Sequence, residues 1–150
     1  MSVSSIPARA RSVEKRLAQR YPSPRTELHW SSPWELLVAT ILSAQCTDAR
    51  VNMVTPALFA TWQNVEQMSH ADAGDIERVI HSTGFFRNKA KNLRAAAVKI
   101  VTEFGGQVPR TMAEMLTLPG VARKTANVVL SNAFGVHAGI AVDTHVKRIC

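Results

Sequence analysis

Cysteine is nearly absent from this sequence, and long apolar runs are absent altogether. Only Cys46 and Cys150 occur among the 150 residues, which excludes a disulfide framework and, within this chain, a four-cysteine metal or cluster site. No uninterrupted apolar run approaches the roughly 18 to 20 residues that span a bilayer, and residues 1–11 lack the apolar core of a signal peptide. We therefore expect an intracellular protein without a membrane partner.

Acidic residues are few relative to basic ones. The chain has 11 Asp and Glu against 18 Lys and Arg, so its formal net charge is +7 and its pI is near 10.1. A basic surface can bind a polyanion, an anionic membrane surface or an acidic protein. Nucleic acid is the leading hypothesis for the binding partner. With 46 % hydrophobic and 19 % charged residues, the composition is that of one globular domain.

Strict alternation of apolar and polar residues is also missing. Apolar residues recur instead at spacings of three and four, which predicts an all-α domain. Ser32 with Glu35, and Thr111 with Glu114, have the spacing of capping boxes at helix starts. Helices are expected from about Ala8 to Tyr21, after Ser32, after Thr47 with a restart or kink at Pro56, after Ser69, from about Phe86 to Phe104, after Thr111, and from about Arg123 to Phe134.

A Pro-Gly turn between two of these helices is the most informative local feature. The stretch 118–130 contains it, and a helix begins directly after the turn. Such a helix presents unpaired backbone N–H groups, and its dipole adds partial positive charge, so its start binds phosphate. Gly120 lets the main chain come close to a ligand. Because these contacts go to phosphates, the hairpin can hold DNA without reading its sequence.

Three motifs in order carry a resemblance to a known family. S-A-Q-C-T-D at 43–48, L-P-G-V-A-R-K-T at 118–125 and V-D-T-H at 142–145 resemble the endonuclease III branch of the helix-hairpin-helix DNA glycosylases, over about 25–150. The resemblance implies that family's six-helix domain at 26–142, with its helix-hairpin-helix motif at about 113–134. It also implies that the helix in 1–25 packs on a C-terminal region of which 143–150 are only the start.

The same resemblance bears on cofactors. Members of this branch continue for several more helices and carry four cysteines that bind a [4Fe-4S] cluster. Those cysteines are absent from residues 1–150, so we expect no cofactor within them. The expected fold is accordingly the helix-hairpin-helix glycosylase fold with its C-terminal iron-sulfur region missing, in a chain that stops before the family's usual end.

Two catalytic residues are implied by the resemblance. Lys124 matches the nucleophile, and Asp143 matches the second catalytic residue. An ordinary lysine amine is almost wholly protonated at neutral pH, so the nucleophile needs activation, which Arg123, the helix start and closure over DNA are expected to supply. The amine would attack the sugar C1′, expel the base and form a Schiff base that permits β-elimination. Asp143 would stabilise positive charge on the sugar or take a proton from the lysine.

Further residues are expected to hold the DNA. An enzyme that acts on a base within a duplex must evert it, and inserted side chains fill the gap. By resemblance, Gln45 enters that gap and Phe85 is an apolar wedge on the opposite strand. Ala122 stands where the family usually has glycine, at a cost of about 1 kcal/mol if its backbone is left-handed. Other expected DNA contacts are Leu118, Gly120, Val121, Ala122, Arg123 and Thr125 of the hairpin, and Arg87 and Lys91, which share a basic stripe with Arg94.

The predicted function is base excision repair. The protein would remove oxidised pyrimidines and cleave the abasic site, as a monomer on double-stranded DNA, in the cytoplasm or nucleoid of a bacterium. Lys124 favours this reading because branches that act only as glycosylases generally lack a lysine there. One alternative is a noncatalytic helix-hairpin-helix DNA-binding module. Another is an 8-oxoguanine glycosylase, which also uses lysine, although the motif at 43–48 fits endonuclease III better.

Overall fold

The computed structural model describes residues 6–142 and 147–148, and its regular elements there are all helical, which confirms the all-α prediction. A 3-10 turn, His81–Thr83, lies between the fifth and sixth α-helices. The α-helices are α1 (Ile6–Arg20), α2 (Pro33–Leu42), α3 (Asp48–Thr61), α4 (Val65–Ser69), α5 (Ala73–Ile80), α6 (Phe86–Phe104), α7 (Met112–Met115) and α8 (Arg123–Phe134).

Helix α2 forms the centre of the domain. It contacts α3, α6 and α8, and eight of its ten residues are buried. A helix that is apolar all round is stable only inside a core, where each large aliphatic side chain contributes about 1.5–3 kcal/mol by burial. Helices α4 and α5 pack against α6, and α7 packs against α8. The loop after α2 and the starts of α6 and α8 are therefore attached to one core.

Both predicted caps begin a helix. Ser32 Oγ accepts from the Glu35 N–H at 3.2 Å, and Thr111 Oγ1 accepts from the Glu114 N–H at 3.3 Å. The returning carboxylates differ from a standard capping box, in which they accept from the cap N–H. Glu35 Oε2 accepts instead from the N–H of Ser31 at 2.6 Å, and Glu114 Oε2 accepts from the Thr111 hydroxyl at 2.7 Å.

Helix α3 runs through Pro56 without a break, so the restart considered there is wrong, and the alternative, a kink, stays a prediction. Proline removes one helical hydrogen bond, a cost that packing can offset. Val54 and Leu58, on either side of Pro56, are both buried in the core. Tertiary burial therefore holds the helix together across the proline.

The helix start expected at Ser69 is also wrong. Ser69 is the last residue of α4, and its hydroxyl donates to the Glu66 carbonyl at 2.7 Å. The next helix begins after Asp72, whose Oδ1 accepts from the N–H groups of Gly74 at 2.8 Å and Asp75 at 3.3 Å. A carboxylate that accepts from two N–H groups stabilises a helix start. Asp72, and not Ser69, is therefore the N-cap of α5.

Helix α1 has no buried residue, and Val13 and Leu17 are more than half exposed. Its expected packing on a C-terminal region, and the division at residues 25 and 142, stay predictions. Within 6–142 and 147–148, no helix is both long enough and apolar enough to cross a bilayer.

Candidate functional site

The hairpin between α7 and α8 is one tight turn. The Val121 N–H donates to the Leu118 carbonyl at 3.2 Å, with Pro119 and Gly120 between them. Gly120 has φ +76°, and proline followed by such a glycine is the pattern of a type II turn. The side chains of Leu118 and Val121 are buried, so they anchor the turn in the core. Neither side chain of these two predicted DNA contacts is exposed.

Helix α8 begins without a side-chain cap. Its N-cap is Ala122, at φ −96° and ψ 172°. This is extended backbone that alanine adopts freely, so the strain considered for a left-handed Ala122 does not arise. The first turn holds the exposed Arg123 and Lys124 and no acidic residue, although the helix dipole favours negative charge there. The half-buried Thr125 follows. The start of α8 therefore suits an anion supplied from outside.

Three segments distant in sequence share one cleft. Gln45 from the loop after α2, Phe85 at the start of α6, and Gly120 of the hairpin all line an open cavity of about 230 Å³. A Cβ at Gly120 would lie 2.8 Å from the Cβ of Asn92 on α6, so only glycine permits this approach of the hairpin to the helix. The structure thus brings both predicted insertion residues together with the Pro-Gly turn that is predicted to bind phosphate.

Both predicted insertion residues have strained backbones. Gln45 at φ +52° and Phe85 at φ +48° are the non-glycine residues with positive φ among those that the structure describes. Gln45 lies in a turn closed by the Cys46 N–H, which donates to the Ser43 carbonyl at 3.1 Å. Phe85 is 64 % exposed, which is unusual for phenylalanine. A left-handed residue costs about 1–2 kcal/mol, and such strain collects at ligand sites.

Sequence reasoning missed Lys89, which lies beneath these two residues in the wall of the same cleft. It is only 5 % exposed, and its Nζ donates to the carbonyls of Leu42 and Thr83, each at 2.8 Å. Burial lowers the pKa of Lys89, and the nearby Cys46 acts in the opposite direction. A signal was present in the sequence, because Lys89 stands four residues before the buried Leu93 on the apolar side of α6.

The basic stripe of α6 lies at the surface. Arg87, Lys91 and Arg94 are all exposed, as their shared helix face predicts. The Arg87 guanidinium carbon stands 5.5 Å from the centre of the Phe86 ring, a cation–π contact. The stripe begins next to Phe85, so positive charge continues from the cleft along α6.

The second predicted catalytic residue, Asp143, lies outside the described residues, together with most of its V-D-T-H motif. The segment before it returns towards α8, where Asn127 Nδ2 donates to the Ile140 carbonyl at 3.2 Å. Within 6–142 and 147–148, no three His, Cys, Asp or Glu side chains are grouped as a metal site requires. The residues grouped in that part of the chain do not fit an iron-sulfur cluster, and the absence of a cofactor from residues 1–150 stays a prediction.

The architecture and the cleft define a helix-hairpin-helix protein, an all-α domain in which a short turn presents a helix start. The model of the family described as HhH-GPD superfamily base excision DNA repair protein matches residues 38–150. Endonuclease III of Synechocystis sp. is 57 % identical over 147 residues, covering 98 % of this chain and 67 % of that protein. Endonuclease III of Bacillus subtilis is 48 % identical, covering 89 % of this chain and 61 % of that protein. The chain therefore belongs to the HhH-GPD superfamily, and within it to the endonuclease III family.

Solved structures agree with this assignment. A non-covalent endonuclease III–DNA complex matches with a TM-score of 0.89 at 44 % identity, covering 95 % of this chain and 66 % of that one. A thermostable thymine-DNA glycosylase shares the fold, with a TM-score of 0.85 at 24 % identity over 97 % of this chain and 68 % of that one. The chain spans between 61 % and 68 % of the length of these four relatives.

Proposed function

We propose that this chain carries the DNA-binding and catalytic core of a base excision repair glycosylase that also cleaves abasic sites. The observation that carries the proposal is the cleft shared by Gln45, Phe85 and Gly120. Lys124 follows Gly120 by four residues, in the first turn of α8. One cleft therefore combines side chains that could fill a gap in a duplex with a turn that could hold its phosphates, and Lys124 follows that turn closely in the sequence.

DNA binding is assigned to the hairpin and the basic stripe. The uncapped start of α8 would receive a phosphate, assisted by Arg123, and the exposed Arg87 and Lys91 would contact further phosphates. These contacts release counterions, so binding should weaken steeply as salt is raised. The match to an endonuclease III–DNA complex supports duplex DNA as the partner.

Gap filling is assigned to Gln45 and Phe85. Everting a nucleotide costs a few kcal/mol of lost stacking and pairing, which inserted side chains partly recover. Phe85 is already exposed, and both residues are held in a single unusual backbone conformation. Groups that are ordered before binding lose less conformational entropy when DNA arrives. This pre-organisation accounts for a conformation that is costly in the free protein.

The chemical steps are assigned to Lys124 and Asp143. The neutral amine of Lys124 attacks C1′, the bond between C1′ and the base breaks, and the base leaves with the bonding electrons and takes up a proton. The nitrogen then loses a proton and the C1′–O4′ bond breaks, with O4′ taking up a proton, so that the opened sugar becomes a Schiff base. A proton leaves C2′ of this Schiff base, and the 3′ phosphate departs by β-elimination. Water then releases the lysine. A structure of a trapped endonuclease III–DNA covalent intermediate, also at a TM-score of 0.89, supports a covalent route.

Asp143 is assigned the stabilisation of positive charge on the sugar or the removal of a proton from the amine. The bond from Asn127 Nδ2 to the Ile140 carbonyl returns the chain to the first half of α8. Asp143 follows Ile140 by three residues, a span of at most about 11 Å. The chain path therefore allows the carboxylate to approach Lys124.

Borohydride trapping tests the nucleophile. The wild-type protein should form a covalent adduct with duplex DNA that contains an abasic site, because borohydride reduces the Schiff base to a stable amine. Lys124→Ala should form none. Lys99→Ala is the matched control, since Lys99 lies on the outer part of α6 in a surface pair with Glu103. Efficient trapping by Lys124→Ala would show that another amine attacks.

The substrate class needs a separate experiment. Oxidised pyrimidines are proposed as the lesions, and release of thymine glycol from a duplex should exceed release of 8-oxoguanine. A wild-type protein that binds duplex DNA but neither traps nor releases any base would be a noncatalytic module. A monomeric state and an intracellular location stay predictions.

A further inference from the structure

We propose that Lys89 is a positioning residue that sets the spacing of the two segments carrying Gln45 and Phe85. The inference rests on the proposed function, because it concerns how the inserted side chains are held for everting a nucleotide. Lys89 itself is buried, and its Nζ donates to two backbone carbonyls.

The geometry joins both segments through one nitrogen. Leu42, whose carbonyl accepts from Lys89 Nζ at 2.8 Å, ends α2 and stands three residues before Gln45. Thr83, whose carbonyl accepts from the same Nζ at 2.8 Å, ends the 3-10 turn and stands two residues before Phe85. Any movement of one segment away from the other must therefore stretch or break a charge-assisted hydrogen bond.

A lysine suits this position for a chemical reason. The carbonyls at the end of a helix lack an intrahelical partner and carry partial negative charge. An ammonium group has three donors and no acceptor, so it can serve two carbonyls at once. A methionine of similar length would fill the space and supply no donor, leaving both buried carbonyls without this partner.

The hydrogen bonds of Lys89 help to hold Gln45 and Phe85 in their strained backbone conformations. A residue keeps a left-handed backbone only where its surroundings over-determine it. Gln45 and Phe85 both have positive φ, and Lys89 holds the chain just before each of them. Without that hold, both residues can relax to ordinary backbone angles. Their side chains would then no longer be presented together in the cleft.

The test compares two DNA substrates in the intact protein carrying Lys89→Met. One substrate is a full duplex with an abasic site, which requires insertion, and the other lacks the nucleotides opposite that site, which removes the need for a wedge. The measured quantity is the single-turnover trapping rate on the full duplex divided by the rate on the gapped duplex. We expect this ratio to be about tenfold lower in Lys89→Met than in the wild type, which corresponds to ~1.4 kcal/mol of activation free energy. Lys99→Met, the same change elsewhere on α6, should leave this ratio unchanged.

A merely structural role for Lys89 would act differently. It would lower the folded fraction and so reduce both rates equally, and an unchanged ratio in Lys89→Met would overturn the proposal. If that variant does not fold, Lys89→Gln replaces it, because the amide keeps donors but is one bond shorter and uncharged. Its ratio should lie between those of the wild type and a full loss, and an unchanged ratio would overturn the proposal equally.

Equilibrium binding separates this inference from the proposed function. Both substrates are prepared with tetrahydrofuran, a non-cleavable analogue of the abasic sugar, and the ratio of their dissociation constants is measured for each variant. A wild-type protein that never traps would refute the proposed chemistry, and the binding ratio would still decide the role of Lys89. An unaltered binding ratio in the variants would refute the positioning role, even if the wild type traps normally.

Discussion

Gly120→Ala is the substitution to which the hairpin should be most sensitive. Gly120 has φ +76°, where an alanine pays about 1 kcal/mol for its left-handed backbone. Its Cβ would also stand 2.8 Å from the Cβ of Asn92 and 3.0 Å from Asn92 Nδ2. The amide can rotate away, but the Asn92 Cβ is attached to the backbone of α6, so the hairpin or the helix must shift.

The size of the loss follows from these two contributions. Overpacking a core contact costs about 1–3 kcal/mol, so Gly120→Ala should lower the free energy of unfolding by roughly 2–4 kcal/mol in total. Gly135→Ala isolates the backbone contribution, because Gly135 has φ +65° and its Cβ would meet nothing within 4 Å. That variant should lose about 1 kcal/mol.

Urea unfolding of the two variants and a double-mutant cycle measure both contributions. Asn92→Gly removes the obstructing Cβ at a cost in helix propensity of roughly 0.3 kcal/mol, because asparagine is itself a poor helix former. In the Asn92→Gly background, Gly120→Ala should therefore lose only its backbone share, giving a coupling energy of about 1–3 kcal/mol. Equal losses for Gly120→Ala and Gly135→Ala, or a coupling energy near zero, would refute the close approach of hairpin and helix.

Two further predictions concern the cleft. Phe85→Gly should leave the free energy of unfolding unchanged or raise it by up to about 1 kcal/mol, because the side chain is 64 % exposed and its backbone strain is relieved. The same variant should lose preference for abasic-site duplex over intact duplex, and a clear loss of stability on urea unfolding would contradict the exposed wedge. Burial lowers the pKa of Lys89 from 10.5, so between its folded and unfolded values the unfolded chain binds more protons. The stability of the wild type relative to Lys89→Met should therefore rise as the pH approaches 10.5 from below, and a constant difference in urea midpoints would count against it.

Helices whose start or end is marked by neighbouring residues were predicted with the correct bounds. The bounds of α6 and α8 match the sequence reading, since Gly105 and Gly135 stop them in left-handed backbone. The starts at Ser32 and Thr111 are confirmed because a cap and its N–H donor lie within one turn. The helix does not restart at Pro56, because burial of Val54 and Leu58 keeps α3 continuous. The start expected at Ser69 was wrong, because the carboxylate of Asp72 accepts from two N–H groups and caps the helix there.

Three features could be predicted from the sequence, namely the all-α class, the Pro-Gly turn before α8 and the family motifs, because each depends on residues that are neighbours along the chain. The cleft shared by Gln45, Phe85 and Gly120 could not be predicted, since it depends on how α2, α6 and the hairpin pack. The tertiary structure alone revealed the bond from Lys89 to the Leu42 carbonyl, 47 residues away. A buried ammonium group binds the acceptors that the fold places next to it, and the spacing of residues along the chain does not predict which acceptors those are.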